Sequence, residues 1–331
     1  MYEDQFGLSE PPFRLTPDAR FFFESRTHKR AQQYLAFGLA QAEGFVVVTG
    51  EIGAGKTMLA DHLVAGLDTE RTLAVRVSTA QIASADLLRL VAERLGAGAP
   101  GAEKGDLLNV IEQRLGEEAE QGRRVLLIVD EAQALTTEAL EELRMLSNFA
   151  RLGRPLLQVL LLGQPEFRDR IAHAPELEQL RQRVIASHHL DAMGADEIAP
   201  YILHRLDRAG WRGRPGFTPE TFDAFHQVSG GIPRRLNMLA HRALLAAAVD
   251  GRDPINADVV AEAASDTPLP EMDRAEPPAP TLTLEDRLDA IEARLAEQDA
   301  ALRRMLSLLV RWVEGEPQPG PQAQVAGNDP F

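Results

Sequence analysis

The sequence predicts an α/β fold: a parallel five-stranded sheet between two helical layers, then a helical lid, then a short coiled-coil helix. Three observations carry that prediction. The apolar run Phe45-Val46-Val47-Val48 leads into the glycine loop Gly50-Glu51-Ile52-Gly53-Ala54-Gly55-Lys56-Thr57 and on into Met58-Leu59-Ala60-Asp61-His62-Leu63. The order is strand, loop, helix, the setting a phosphate-binding loop requires. A second apolar run, Val125 to Val129, ends in Asp130 and Glu131, the pattern of a central parallel strand whose carboxyl end faces a ligand. Beyond Asp191 the apolar spacing becomes helical throughout.

The segment through Arg30 is rich in aromatics and prolines, among them Phe6, Pro11, Pro12, Phe13, Phe21, Phe22 and Phe23. It is expected to be an ordered, non-helical cover, lying either against an adenine or on the sheet edge. From Thr27 the positions Ala31, Tyr34, Leu35, Gly38 and Leu39 have helical spacing that ends near Gly44 and feeds the first strand.

In the loop, Gly50, Gly53 and Gly55 let successive backbone NH groups converge on one anion, and the following helix adds the positive end of its dipole. Lys56 is placed to reach the β and γ phosphates of ATP, and Thr57 offers a hydroxyl to Mg²⁺. Glu51, Ile52, Ala54 and Met58 complete the cofactor-binding stretch.

Leu73 to Val77 is the second strand, followed by helices from Ser84 to Leu95 and, after a loop, to Glu120. In the third strand Asp130 is expected to hold Mg²⁺ and Glu131 to polarise the water that attacks the γ phosphate. A helix from Thr137 to Phe149 precedes the strand Leu156 to Leu162, after which Gln164 either bridges water and phosphate or caps the next helix. Leu177 to Val184 reads as a helix running into the strand Val184 to Leu190. Arg183 first, and Arg181 second, are candidates to project into a neighbouring subunit's site, the alternative being a helix-end arginine that satisfies the dipole.

The lid helices run Asp196–Ala209, Pro219–Ser229, Arg234–Val249 and Ala257–Ala264. Gly230-Gly231-Ile232-Pro233-Arg234 opens the third of them, and Arg234 is expected to reach back over the phosphates. His62, His188, His189 and Asp61 show no metal-binding or acid–base pattern. The expected domains are therefore 1–190 for nucleotide binding and 191–265 for the lid, then a proline-rich linker over 266–282. A heptad-patterned helix over 283–314 carries Leu284, Leu288, Ile291, Leu295, Leu302, Met305, Leu309 and Trp312, and a polar tail over 315–331 is expected to be disordered. The heptad segment is either a coiled coil, a partner-binding helix or a surface helix folded back on the lid.

Composition narrows the function classes. The 331 residues include no cysteine, which excludes disulfides, thiolate metal sites and a cysteine nucleophile. The N-terminus lacks a basic segment followed by an apolar one, so a cytoplasmic location is expected, and no apolar run approaches the roughly 20 residues of a membrane span. A formal net charge of −15 opposes long-range attraction to nucleic acid and anionic lipid.

The ordered set of glycine loop, acidic strand end, Gln164, helix-end arginine and Gly231-Ile232-Pro233-Arg234 resembles the AAA+ ATPases. More narrowly, Phe6-Gly7-Leu8, Pro12-Phe13, Leu15 to Asp18, Thr49 to Thr57, Leu127 to Gln133, Leu162 to Phe167, Leu180 to Val184 and Gly230 to Asn237 are similar to the general secretion pathway protein A (ExeA-type) family. Arg20 to Arg30, Leu140 to Phe149 and Tyr201 to Leu206 look like the ATPase associated with exosortase (XrtA/PEP-CTERM) and exopolysaccharide systems. The resemblance covers about residues 1 to 265 and implies ATP hydrolysis coupled to envelope export or assembly; a homo-oligomer is expected, with residues 284–313 contacting an envelope or export protein. Met58 departs from a second threonine common in relatives, and the classical members' membrane span and periplasmic domain have no counterpart in this sequence. The alternatives are a DNA-associated ATPase of the transposition or loader type and an ATP-gated partner-binding switch with little turnover.

Overall fold

The computed structural model describes residues 2–16, 18–78, 84–98 and 101–265, which fall in a single compact unit. The linker, heptad helix and tail expected from residue 266 onward lie outside the described residues. In chain order the elements are α1 (Tyr2–Phe6), α2 (Arg26–Gln41), β1 (Phe45–Gly50), α3 (Lys56–Ala65), β2 (Thr72–Ser78), α4 (Ser84–Arg94), α5 (Lys104–Glu120) and β3 (Arg124–Asp130). Then follow α6 (Thr137–Leu146), β4 (Ala150–Arg151), β5 (Arg154–Pro155), β6 (Leu157–Gly163), α7 (Pro165–His173), α8 (Glu178–Arg181) and β7 (Val184–Leu190). Helices α9 (Ala195–Arg208), α10 (Pro219–Ser229), α11 (Pro233–Asp250) and α12 (Ala257–Ser265) complete the described chain.

The five long strands form one sheet in the order β2-β3-β6-β1-β7, and every pairing in it is parallel. Alternation along the strands sends side chains to both faces. Phe45, Val47, Val125, Leu127, Val129, Val159 and Leu161 face α4, α5 and α6, whereas Val46, Val48, Leu126, Ile128, Leu160 and Leu162 face α2 and α3. Both faces are apolar because both are covered, which is why these strands read as continuous hydrophobic runs.

Two short features depart from the sequence reading. The α6 helix ends at Leu146, and β4 and β5 form a two-stranded antiparallel hairpin where helix and plain loop are expected, with Leu152 (φ +52) and Gly153 (φ +74) supplying its left-handed turn. The helix before β7 is also shorter than the Leu177–Val184 reading, with only Glu178–Arg181 in α-helical form.

The N-terminal segment is ordered as expected, but it opens on a helix. Tyr2 and Phe6, four residues apart on one face of α1, are buried with Leu8, Phe13 and Phe21 in the core formed by α9, α10, α11 and α12. The Tyr2 hydroxyl meets His241 Nδ1 at 3.0 Å. Those five residues are thus part of the helical region's core, while Arg14, Leu15, Thr16 and Asp18 of the same segment line a cavity beside Lys56 and Phe22 stacks on His62 of α3. Arg205, 8% exposed, lies over the rings of Phe13, Phe21 and Tyr201 and donates from Nε to the Pro12 carbonyl at 2.8 Å.

Helix α2 approaches the sheet at Gly38, where an added Cβ would stand 2.7 Å from Val46 Cγ2 and 3.2 Å from Ala186 Cβ. Substituting Gly38→Ala gains about 1 kcal/mol of helix propensity. Overpacking against a stiff β-branched neighbour costs more, and we expect a net loss of about 1–2 kcal/mol in urea unfolding. A variant as stable as the parent would contradict this packing.

Candidate nucleotide site

The site forms where three adjacent strands end. Strand β6 lies between β1 and β3, so Gln164 after β6 falls between the glycine loop after β1 and the acids after β3. In the loop, Gly53 and Gly55 have φ of +85° and +98°, backbone that a side chain would strain. Both are also approached closely from outside. A Cβ on Gly55 would stand 2.7 Å from His28 Nε2, and one on Gly53 would stand 2.4 Å from Arg234 Cβ.

Lys56 opens α3 and is buried, with Nζ donating to the carbonyls of Gly50 at 2.7 Å and Glu51 at 3.0 Å. Burial lowers its pKa, and the nearby charges of Glu131 and Asp130 oppose the shift. The ammonium therefore sits inside the curl of the loop. Ala54 is buried beneath the loop, whereas Ile52 is 61% exposed and lines a cavity of about 340 Å³ together with Lys56, Thr57, Met58, Glu131 and Arg234. Gly50 and Glu51 serve the loop through their carbonyls, with Ala54 N donating to Glu51 O at 3.1 Å.

Thr57 Oγ1 donates to Asp130 Oδ2 at 2.9 Å. A hydroxyl and a carboxylate at this separation are hard oxygen donors that fit a Mg²⁺ ion. Glu131 adopts φ +56° and ψ +41°, a left-handed conformation uncommon outside glycine, at the start of a single 3₁₀ turn. Its Oε2 accepts from Gln133 Nε2 at 2.6 Å and from Gln164 Nε2 at 3.3 Å. Gln133 Oε1 in turn accepts from the backbone NH of Gln164 at 3.1 Å, so one side chain ties the ends of β3 and β6 together. Gln164 is also the N-cap of α7, its carbonyl accepting from the Phe167 NH at 3.0 Å while its side-chain amide donates to Glu131.

Arg234 reaches the loop from α11, where its backbone NH donates to the Gly53 carbonyl at 3.2 Å and its side chain lines the cavity. Tyr201, Arg205 and Asn237 line the same cavity, with the Tyr201 hydroxyl donating to Asn237 Oδ1 at 2.8 Å. The helical region thus contributes directly to the site.

Arg183 and Arg181 lie elsewhere. Arg183 immediately precedes β7, whose last residue Leu190 pairs with Gly50, and seven residues of strand separate the two ends by about 20 Å. Arg183 Nη1 donates to Ser147 Oγ at 3.3 Å at the amino-terminal edge of the sheet. Arg181 Nη1 donates to the Ile171 and Ala172 carbonyls at 2.9 and 2.7 Å, closing the end of α7, and its other arm pairs with Glu178. Neither arginine reaches the loop of its own chain. A larger cavity of about 1080 Å³ at that same sheet edge is lined by Arg71, Arg123, Arg124, Arg151 and Arg154 and holds none of the glycine-loop or acidic residues.

Gln133, Arg76 and His28 also belong to the site's surroundings, and none of the three stands in a motif position that gives it a role. Gln133 lies within the Leu127–Gln133 stretch and was legible as its last polar residue, and Arg76 is the single charge in an otherwise uncharged strand. Nothing in the sequence marks His28. His189, likewise without a pattern, has Nδ1 2.9 Å from Thr49 Oγ1.

The family described as an AAA domain matches residues 40–171. General secretion pathway protein A of Aeromonas hydrophila is 37% identical over 258 residues, which are 77% of this chain and 46% of that protein. The chain thus carries an AAA domain and, over those 258 residues, is similar to the AAA ATPases of the general secretion pathway protein A (ExeA) type. It spans about half the length of that curated relative. Among solved structures, Cdc6p of Pyrobaculum aerophilum superposes with a TM-score of 0.61 at 16% identity, over 76% of this chain and 71% of that one. The ORC1 protein of Aeropyrum pernix, in complex with DNA, gives 0.59 at 15% identity over 78% and 69%. At those identities the likeness is one of fold: the AAA+ arrangement of sheet and helices, with a helical C-terminal region. Among the described residues, no helix is long and apolar enough to cross a membrane.

The position of His28 gives the site's scaffold a pH dependence. Burial beneath the loop lowers its pKa from 6.5 to about 4, and Nδ1 lies 2.6 Å from Ser25 Oγ. The unfolded chain then binds a proton between pH 6.5 and 4 that the folded chain does not. Stability from this group is complete above pH 6.5 and falls with pH by at most about 1.4 kcal/mol per unit. Denaturant unfolding between pH 7 and 4.5 should show a smaller acid loss in His28→Gln than in the parent, whatever the variant's stability at pH 7. An unchanged slope would contradict the burial of a neutral imidazole.

Proposed function

We propose that this protein binds Mg²⁺·ATP at the Gly50–Met58 loop and hydrolyses it as a homo-oligomer, with the hydrolysis coupled to envelope export or assembly. The observation that carries the reading is the placement of Glu131, its carboxylate held by Gln133 and Gln164 beside the Thr57–Asp130 pair.

The loop NH groups and the α3 amino end would cradle the phosphates, with Lys56 reaching the β and γ groups. Thr57 and Asp130 would hold the metal, which when present neutralises phosphate charge. Glu131 would accept the proton of the attacking water, and Gln164 would fix that water's orientation because an amide donates and accepts at once. Arg234 would sense the γ phosphate from the helical region. Arg183, too far from its own loop, would act on a neighbouring copy's phosphates. Arg181, occupied with α7, is the weaker candidate.

The secretion role is supported by the 37% identity to general secretion pathway protein A, and the exosortase and exopolysaccharide setting by the three stretches that resemble that branch. Residues 284–313 would supply the contact to an envelope partner and place a cytoplasmic protein at the inner face of the inner membrane. The net charge of −15 weighs against nucleic acid as the client.

Replacing Glu131→Gln removes the base while leaving the phosphate cradle. We expect ATP binding close to that of the parent and turnover lowered by about 10²–10⁴-fold, measured by fluorescent-nucleotide titration and phosphate release. Equal turnover in the variant would reject Glu131 as the base.

A further inference from the structure

Arg76 is the one charged residue of β2, and its guanidinium divides between two carboxylates on the metal side of the site. Nη1 donates to Asp61 Oδ1 at 2.5 Å, while Nη2 lies 3.6 Å from Asp130 Oδ2 and 3.5 Å from the Thr57 carbonyl. Asp130 Oδ2 is the same oxygen that accepts the Thr57 hydroxyl. A divalent cation between Thr57 and Asp130 would therefore stand beside a fixed positive charge, and the Asp130 side chain, 11% exposed, is poorly screened by water. Asp61 lies one helical turn beyond Thr57 on α3, and a carboxylate accepts both arms of a planar guanidinium.

We propose that Arg76 is a positioning residue that competes with the divalent cation for Asp130, with Asp61 as its alternative partner, so that the Arg76–Asp61 pair sets the metal requirement of the site. The inference rests on the nucleotide-site reading above. Its chemical consequence is selectivity. Bare metal meets the guanidinium's repulsion, whereas a metal–nucleotide complex brings phosphate charge that offsets it, so the site favours the complex over its parts.

Mn²⁺ in place of Mg²⁺ gives a readout independent of turnover, because free Mn²⁺ is counted by electron paramagnetic resonance. The full chain, saturated with ADP, is titrated alongside Arg76→Gln, Arg76→Lys and Asp61→Asn, and ADP affinity is measured separately in EDTA. Removing the charge in Arg76→Gln should lower the half-saturating Mn²⁺ by about tenfold. Arg76→Lys keeps the charge and should stay near the parent, which a purely structural arginine would not ensure. Asp61→Asn should raise the requirement, since the Asp61 carboxylate no longer draws Arg76 away from Asp130. Half-saturation unchanged or raised in Arg76→Gln, with ADP affinity in EDTA retained, would overturn this inference alone. If Arg76→Gln does not fold, Asp61→Asn decides by the same titration, an unchanged midpoint overturning the proposal. Absence of ADP binding in the parent would overturn the nucleotide reading and this inference with it.

Discussion

The glycine loop is gripped from two sides, and the rest of the site depends on that grip. His28 closes against Gly55 from α2, and Arg234 closes against Gly53 from α11 while its NH holds the Gly53 carbonyl. A side chain at either glycine would collide, so glycine is required there for close approach as well as for positive φ. The loop is therefore bound to both the N-terminal part of the chain and the helical region. A change in loop conformation would be felt at α11, and a movement of α11 would be felt at the loop.

The parallel sheet does the remaining work of assembly. With β6 between β1 and β3, three short polar stretches that are far apart in sequence end side by side. Gln133 and Gln164 then fix the carboxylate of Glu131, whose left-handed backbone costs on the order of 1 kcal/mol and is held by its NH on Asp130 Oδ1 and its carbonyl under the Ala134 NH. The same topology places Arg183 at the other end of β7, which makes the chain's own loop unreachable for it.

What the sequence made legible was local. The glycine spacing, the acids that end an apolar run and the shift to helical periodicity each depend on neighbours along the chain, and the five strands lie within a residue or two of where pattern places them. What it hid was contact through space. His28 beneath Gly55 and Arg76 beside Asp130 depend on packing and register that no periodicity encodes. The N-terminal aromatics announced an ordered segment, but whether Tyr2 and Phe6 pack on the sheet or on α11 is decided only by which surface offers a complementary groove. The β4–β5 hairpin escaped because two-residue strands carry no pattern.

On the proposed function, the Glu131 site is chemically complete only when another copy supplies Arg183. Steady-state ATP turnover per subunit, measured against protein concentration with the oligomeric state followed by sedimentation, decides this. The rate per subunit should be low where the protein is monomeric and rise to a plateau as copies associate. A turnover per subunit that is the same for monomer and oligomer would contradict it.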